Sequence, residues 1–211
     1  MKKTLCLILT LIMCFGIVAA LGSCGEEEVT DLFTYAAKLN PTKTTTFVTY
    51  KIGSDELSGT YVMEINGNNS IFTYEYDKYR TSEEAIEDND PSTIKTVSGK
   101  VYCKDGKYSD DGVIWGSSPV ATEIKLKLER DLLTNVVLSE DGNSLTAEIT
   151  PANAIAVLGT DLAAEGNIAI TATANGTYLT GITLSCTTKE GATVRIETSY
   201  SYNVLELVFP E

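Results

Sequence analysis

Between residues 44 and 208, apolar and polar side chains alternate in short runs, the period-two signature of strands with one face turned inward. Runs at 44–52, 57–66 and 70–79 are rich in Thr, Tyr, Val, Ile and Phe, which suit a pleated surface. Asn66-Gly67-Asn68-Asn69 predicts a hairpin, since Asn-Gly accepts the positive φ angles such a turn needs. Shorter strands are expected at 94–97, 100–103 and 124–128, and a hairpin at 136–138 and 145–149 about Asp141-Gly142. The chain closes with strands at 167–174, 178–187 and 193–208, separated by Asn175-Gly176 and Glu190-Gly191.

Two stretches leave this period. Residues 29–39 place Val29, Leu32, Phe33, Ala36 and Ala37 at helical spacing and stop at Asn40-Pro41. Residues 151–158 read as a second helix, with Thr150 as its cap, Pro151 in the first helical position and Gly159 past the end. Residues 80–93 are an acidic, polar break, and 129–133 allows a helical turn. The expected class is α+β: one large curved antiparallel sheet of roughly eight to ten strands, a half-barrel, with short helices covering its concave side.

Residues 1–23 follow neither pattern. Lys2 and Lys3 precede an unbroken run of apolar residues, Gly and Thr from Leu5 to Leu21, the layout of a secretory signal. It ends in Leu21-Gly22-Ser23-Cys24, which resembles the bacterial lipobox. The resemblance implies a signal peptide over 1–23, diacylglycerol on the Cys24 thiol, cleavage before Cys24, and a short tether over 24–28. Two or three acyl chains hold a protein at a bilayer stably. The expected location is therefore the extracytoplasmic face of a bacterial cell membrane, with residues 29–211 as a single domain.

Charge and composition narrow the chemistry. The full chain has 211 residues, a formal charge of −13 and no histidine. Residues 1–23 carry only Lys2 and Lys3, so the remaining 188 residues hold 14 basic and 29 acidic side chains, a charge of −15. The missing histidine rules out a Ser-His-Asp triad, a Cys-His pair and His-ligated zinc. The acidity argues against nucleic acid, whose binding needs phosphate-neutralising Lys and Arg.

The order of elements resembles the lipoprotein-carrier superfamily of LolA and LppX type. It rests on the lipobox, the helix before the first hairpin, the helix around 151–158 and the terminal meander NIAITATANGTYLTGITLSC…TVRIETSYSYNVLELVFPE. The resemblance implies a curved sheet with helices over its open side and a cavity between them for a lipid, acyl chain or other amphiphile. The candidate lining is one set of strand positions: Val48, Tyr50, Ile52, Tyr61, Met63, Ile65, Phe72, Tyr74 and Tyr76, then Ile168, Ile170, Ile182, Leu184, Val194 and Ile196. The same periodicity also describes ordinary core. Eleven Tyr against five Phe suit a half-polar ligand, because a buried Tyr hydroxyl wants a partner.

Three further constellations bear on chemistry. Glu83, Glu84, Glu87, Asp88 and Asp90 could offer oxygens to calcium, but Pro91 and the absence of a glycine at the sixth place favour a solvated loop, so no metal is expected. Cys103 and Cys186 either form a disulfide or remain free thiols, depending on whether their strands meet. Paired carboxylates for a hydrolase or carbohydrate-active protein have no motif around them. The reading is a non-catalytic, membrane-anchored lipoprotein without cofactor that binds a hydrophobic or amphiphilic ligand. The rival is a structural module for an envelope protein partner.

Overall fold

The computed structural model describes residues 32–87, 92–116, 127–203 and 206–210. Ten strands build one antiparallel sheet: β1 (Lys43–Ile52), β2 (Asp55–Asn66), β3 (Asn69–Tyr79), β4 (Ile94–Lys104), β5 (Lys107–Ser109), β6 (Thr134–Leu138), β7 (Ser144–Ile149), β8 (Ile168–Ala174), β9 (Leu179–Thr187) and β10 (Thr193–Ser201). Their order is β5-β4-β3-β2-β1-β10-β9-β8-β7-β6. The N-terminal five strands thus run out from the centre to one edge, and the C-terminal five run in from the other. The halves meet at a β1–β10 seam. The edge strands β5 and β6 do not pair, so the sheet is not closed into a barrel. This agrees broadly with the expected curved sheet.

Alternation assigns the faces. On β1, Thr44, Thr46, Val48 and Tyr50 are buried while Phe47 and Lys51 are exposed. On β10, Val194, Ile196, Thr198 and Tyr200 are buried. Among the described residues helices are few and short: α1 (Leu32–Ala37), α2 (Ser82–Glu87) and α3 (Ala154–Leu158), with a 3-10 turn at Arg130–Leu132. Helix α1 packs against β8 and β9, burying Leu32, Tyr35 and Ala36. Helix α3 buries Ala154, Val157 and Leu158. The fully buried aliphatics therefore gather on the C-terminal half of the sheet, at Leu145, Ile149, Ile168, Ile170 and Leu179. Among the described residues no helix is long and apolar enough to cross a membrane.

Several boundaries differ from expectation, each for a local reason. The two strands expected at 94–97 and 100–103 are one strand, β4; Ser98 and Gly99 stay in the ladder opposite Glu75 and Tyr74. The second helix begins at Ala154, not Pro151. Thr150 and Pro151 close a turn instead, accepting from the Asn153 and Ala154 amides, and Asn153 spends its side chain on the Leu132 carbonyl at 2.9 Å. Its other end is as expected, with Gly159 left-handed at φ 71°. The last strand stops at Ser201 rather than 208. Lys127 and Leu128 are not in a strand, and residues 124–126 lie outside the described ones. The acidic break holds a helix that a capping box explains: Thr81 Oγ1 accepts from the Glu84 amide, and Glu84 Oε2 accepts from the Thr81 amide.

Candidate functional site

The face that carries α1 can be read rung by rung. One rung runs Tyr200–Thr44–Met63–Phe72–Val101. The next runs Ile182–Thr198–Thr46–Tyr61–Tyr74–Gly99. A third runs Ile170–Leu184–Ile196–Val48–Gly59–Tyr76–Val97. The candidate lining residues all project from this face, but they divide into two surroundings. Val48, Tyr50, Ile168, Ile170, Ile182, Leu184, Val194 and Ile196 are each 5% exposed or less and form closed core. On β2 and β3, Met63, Tyr74 and Tyr76 are only half-buried.

Tyr74 and Tyr76 join the buried Tyr61 and Phe72 in a circuit of four rings. Tyr61 lies 6.4 Å from Phe72 and 6.2 Å from Tyr76, centroid to centroid and nearly parallel to both. Phe72–Tyr74 and Tyr74–Tyr76 close the circuit at 5.8 and 6.0 Å with tilted rings. These separations are those of favourable aromatic pairs. Two glycines give the rings room. A Cβ at Gly59 would stand 2.7 Å from Tyr61 Cε2, and one at Gly99 would overlap Tyr74 Oη. The tyrosines therefore lie down over backbone that carries no side chain.

Beside the rings, the seam contributes four hydroxyls that the sequence reading passed over. Thr46 Oγ1 and Thr198 Oγ1 hydrogen-bond at 3.1 Å. One rung along, Thr44 and Tyr200 face each other across the strands, and among the described residues neither Thr44 Oγ1 nor Tyr200 Oη has a hydrogen-bond partner although both are shut off from solvent. Burial, then the neighbouring Tyr202, pushes the Tyr200 phenol well above its usual range. Burial likewise raises Tyr61, with Tyr76 and Asp77 adding to it. The arrangement offers aromatic surface and neutral hydroxyls. Cations on this face stand at the far end of β3 and β4, where Lys78 pairs in register with Lys95 and Lys78 Nζ binds Glu84.

The remaining candidates are not brought together here. Among the described residues Cys103 and Cys186 form no disulfide; they sit on β4 and β9 with four strands between them, about 24 Å along the sheet, far beyond disulfide reach. Glu84 is committed to Lys78 and Thr81, which hold its carboxyl down at about 2. Glu83 is exposed, while the Glu87 side chain, Asp88 and Asp90 lie outside the described residues, as do Leu21, Gly22, Ser23 and Cys24. On the opposite face, a groove of about 320 Å³ crosses β1, β10, β9 and β8 between Phe47, Thr171, Thr183 and Glu197, above Gly181.

No family model matches the chain, and no curated protein matches it either. Among solved structures, it is weakly similar to a redesigned β-barrel, at 12% identity and a TM-score of 0.23 over 82% of this chain and 99% of the other. It is also weakly similar to a DUF1329 family protein from Desulfovibrio piger, at 12% identity and a TM-score of 0.28 over 83% of this chain and 95% of the other. Likenesses this slight carry no functional argument.

Proposed function

We propose that this chain is a membrane-anchored extracytoplasmic lipoprotein that binds a hydrophobic or amphiphilic ligand on the β2–β4 part of its sheet, as carrier, presenter or sensor and without catalysis. The observation that carries the reading is the aromatic circuit. Tyr61, Phe72, Tyr74 and Tyr76 share a face with the closed core, yet α1 lies over β8 and β9, at the other end of the sheet. An apolar ligand would complete the burial of Met63, Tyr74 and Tyr76, which are half-buried, beside the already buried Tyr61 and Phe72. Each Å² of apolar surface so removed from water contributes roughly 25 cal/mol before ordering costs. The lipobox at Leu21–Cys24 supplies the anchor, and the order of elements supports the lipoprotein-carrier resemblance.

The test is organic extraction and native mass spectrometry of the purified full chain. A stoichiometric amphiphile, lost in a Tyr74→Ala, Tyr76→Ala double variant, is the expected result. A chain that is ligand-free and takes up no added oleate or monooleoylglycerol overturns the reading. The rival, a surface for an envelope protein, draws support from Phe47, which is 43% exposed at the outer-face groove. Cross-linking from Phe47 to a membrane protein, with no amphiphile bound, would favour it.

A further inference from the structure

We propose that the Thr44–Tyr200 rung is the subsite for the polar end of the ligand and that it selects an uncharged hydrogen-bonding group (a hydroxyl, ester or amide) over an ionised head. The inference rests on the amphiphile-binding reading and adds to it an orientation and a headgroup chemistry.

The first ground is the pair of orphan hydroxyls. A buried hydroxyl without a partner costs about 1–3 kcal/mol, and most buried polar side-chain atoms find one. Valine and phenylalanine would fill nearly the same space at Thr44 and Tyr200 without that cost. Two such groups come from residues paired directly in register, so this rung carries hydrogen-bonding capacity that no described residue uses. The adjacent Thr46–Thr198 pair satisfies itself, so of these two seam rungs only Thr44–Tyr200 has unused hydroxyls among the described residues.

The second ground is position. Thr44 is flanked on its other side by Met63, and Met63 by Phe72. The orphan rung therefore continues directly into the aromatic surface. A chain lying on Met63, Phe72 and Tyr74 would end at Thr44, with its polar atom drawn under cover.

The third ground is charge. No carboxylate, ammonium or guanidinium stands on the Tyr200–Thr44–Met63–Phe72–Val101 rung. Lys78 is six residues along β3 from Phe72, roughly 20 Å at the rise of an extended strand, and is bound to Glu84; Lys95 lies opposite it. A carboxylate or ammonium brought to Thr44 would be desolvated without a counter-charge, which is far costlier than burying a hydroxyl that is hydrogen-bonded. Thr and Tyr hydroxyls both donate and accept, so they serve a neutral group of either polarity.

The experiment measures binding of monooleoylglycerol, oleate and oleylamine to the purified full chain, in parallel with Thr44→Val and Tyr200→Phe. Monooleoylglycerol should bind about tenfold or more tightly than either ion, and each variant should lose about two- to tenfold of that affinity, the worth of one hydrogen bond. Thermal midpoints of the ligand-free variants should match or exceed the parent, since each removes an unsatisfied hydroxyl; this separates a lost contact from a lost fold. Unchanged affinity in both variants overturns the subsite. Oleate binding as tightly as monooleoylglycerol, and weakening in Lys78→Gln or Lys95→Gln, also overturns it and places the head at the other end, with the amphiphile reading intact. Failure of all three probes to bind removes that reading and the subsite with it.

Discussion

The ring of Tyr74 lies over Gly99 of the neighbouring strand, so closely that a methyl group at residue 99 would occupy the space of Tyr74 Oη. The clash is with the far end of a half-buried side chain, which has somewhere to go. Tyr61 over Gly59 is different: its ring is 5% exposed and held between Phe72 and Tyr76. Gly99→Ala should therefore cost about 1 kcal/mol, the loss of an aromatic pair. Gly59→Ala should cost about 2–3 kcal/mol, as overpacking does. Urea unfolding of the two variants checks the order; equal losses would mean that the rings are not seated as described.

Thr46 and Thr198 satisfy each other out of contact with water. Thr46→Val or Thr198→Val alone strands the remaining hydroxyl and should cost about 1–3 kcal/mol. The double variant should recover most of that loss, because two apolar groups replace a closed pair. A double-mutant cycle by chemical denaturation reads the coupling. Simple additivity would show that the pair is not formed in solution.

Alkaline pH should destabilise the fold. Burial pushes the Cys186 thiol up to about 11 from an ordinary 9.0, and burial, then Tyr178, raises Tyr202 to about 12 from 10.0. Groups with raised folded-state values hold their protons while the unfolded chain gives them up, so stability is intact below pH 9 and falls as pH rises through 9 to 12. Cys186 alone accounts for a loss of order 2 kcal/mol. Denaturation midpoints against pH measure it, and Cys186→Ala should flatten the first part of the fall. At pH 8 a thiol reagent should modify half-exposed Cys103 and leave buried Cys186 untouched until the chain unfolds.

On the acid side, Asp77 is the group to follow. Burial opposes its charge, but hydrogen bonds from the Thr96 hydroxyl and from the Ser58 amide and hydroxyl outweigh burial and lower its pKa. A depressed carboxylate contributes stability above its unfolded value, lost as pH falls through the folded one. Asp77→Asn should lower stability at pH 7 and narrow its gap to the parent in acid. A gap that stays constant with pH would exclude a charged Asp77.

The tail ends at the far edge of the sheet. Phe209 packs against Tyr102 of β4 and against Trp115, the single tryptophan, and a Cβ at Gly112 would overlap Pro210. Phe209→Ala and Gly112→Ala should both expose Trp115 and shift its fluorescence to the red. Emission unchanged in both would mean that the tail is not docked.

Strands and turns were readable because period-two alternation and Asn-Gly or Asp-Gly turns are local signals. The join between the strands expected at 94–97 and 100–103 was not readable: Ser98 and Gly99 carry no apolar side chain, and the ladder continues through them because they pair with Glu75 and Tyr74 of β3. Pro151 misled the reading, because nothing local shows that Asn153 is drawn to the Leu132 carbonyl. The division of the lining set into closed core and half-open rings could not be read, since α1 chooses β8 and β9 through contacts more than a hundred residues away. The hydroxyl rungs stayed hidden for another reason. Threonine fits either face of a strand, so Thr44, Thr46 and Thr198 looked like the outward-facing Thr45 and Thr49 until the β1–β10 pairing was known.

That pairing also sets a clock. Thr44 and Tyr200 are 156 positions apart, and the strand that joins the halves is the last to be made. Neither half can be sealed to the other until nearly the whole chain has been delivered, and closing so long a loop is slow. Until then β1 presents a bare edge, the condition under which strands pair with the wrong partner. A chain interrupted before residue 193 would keep that edge indefinitely.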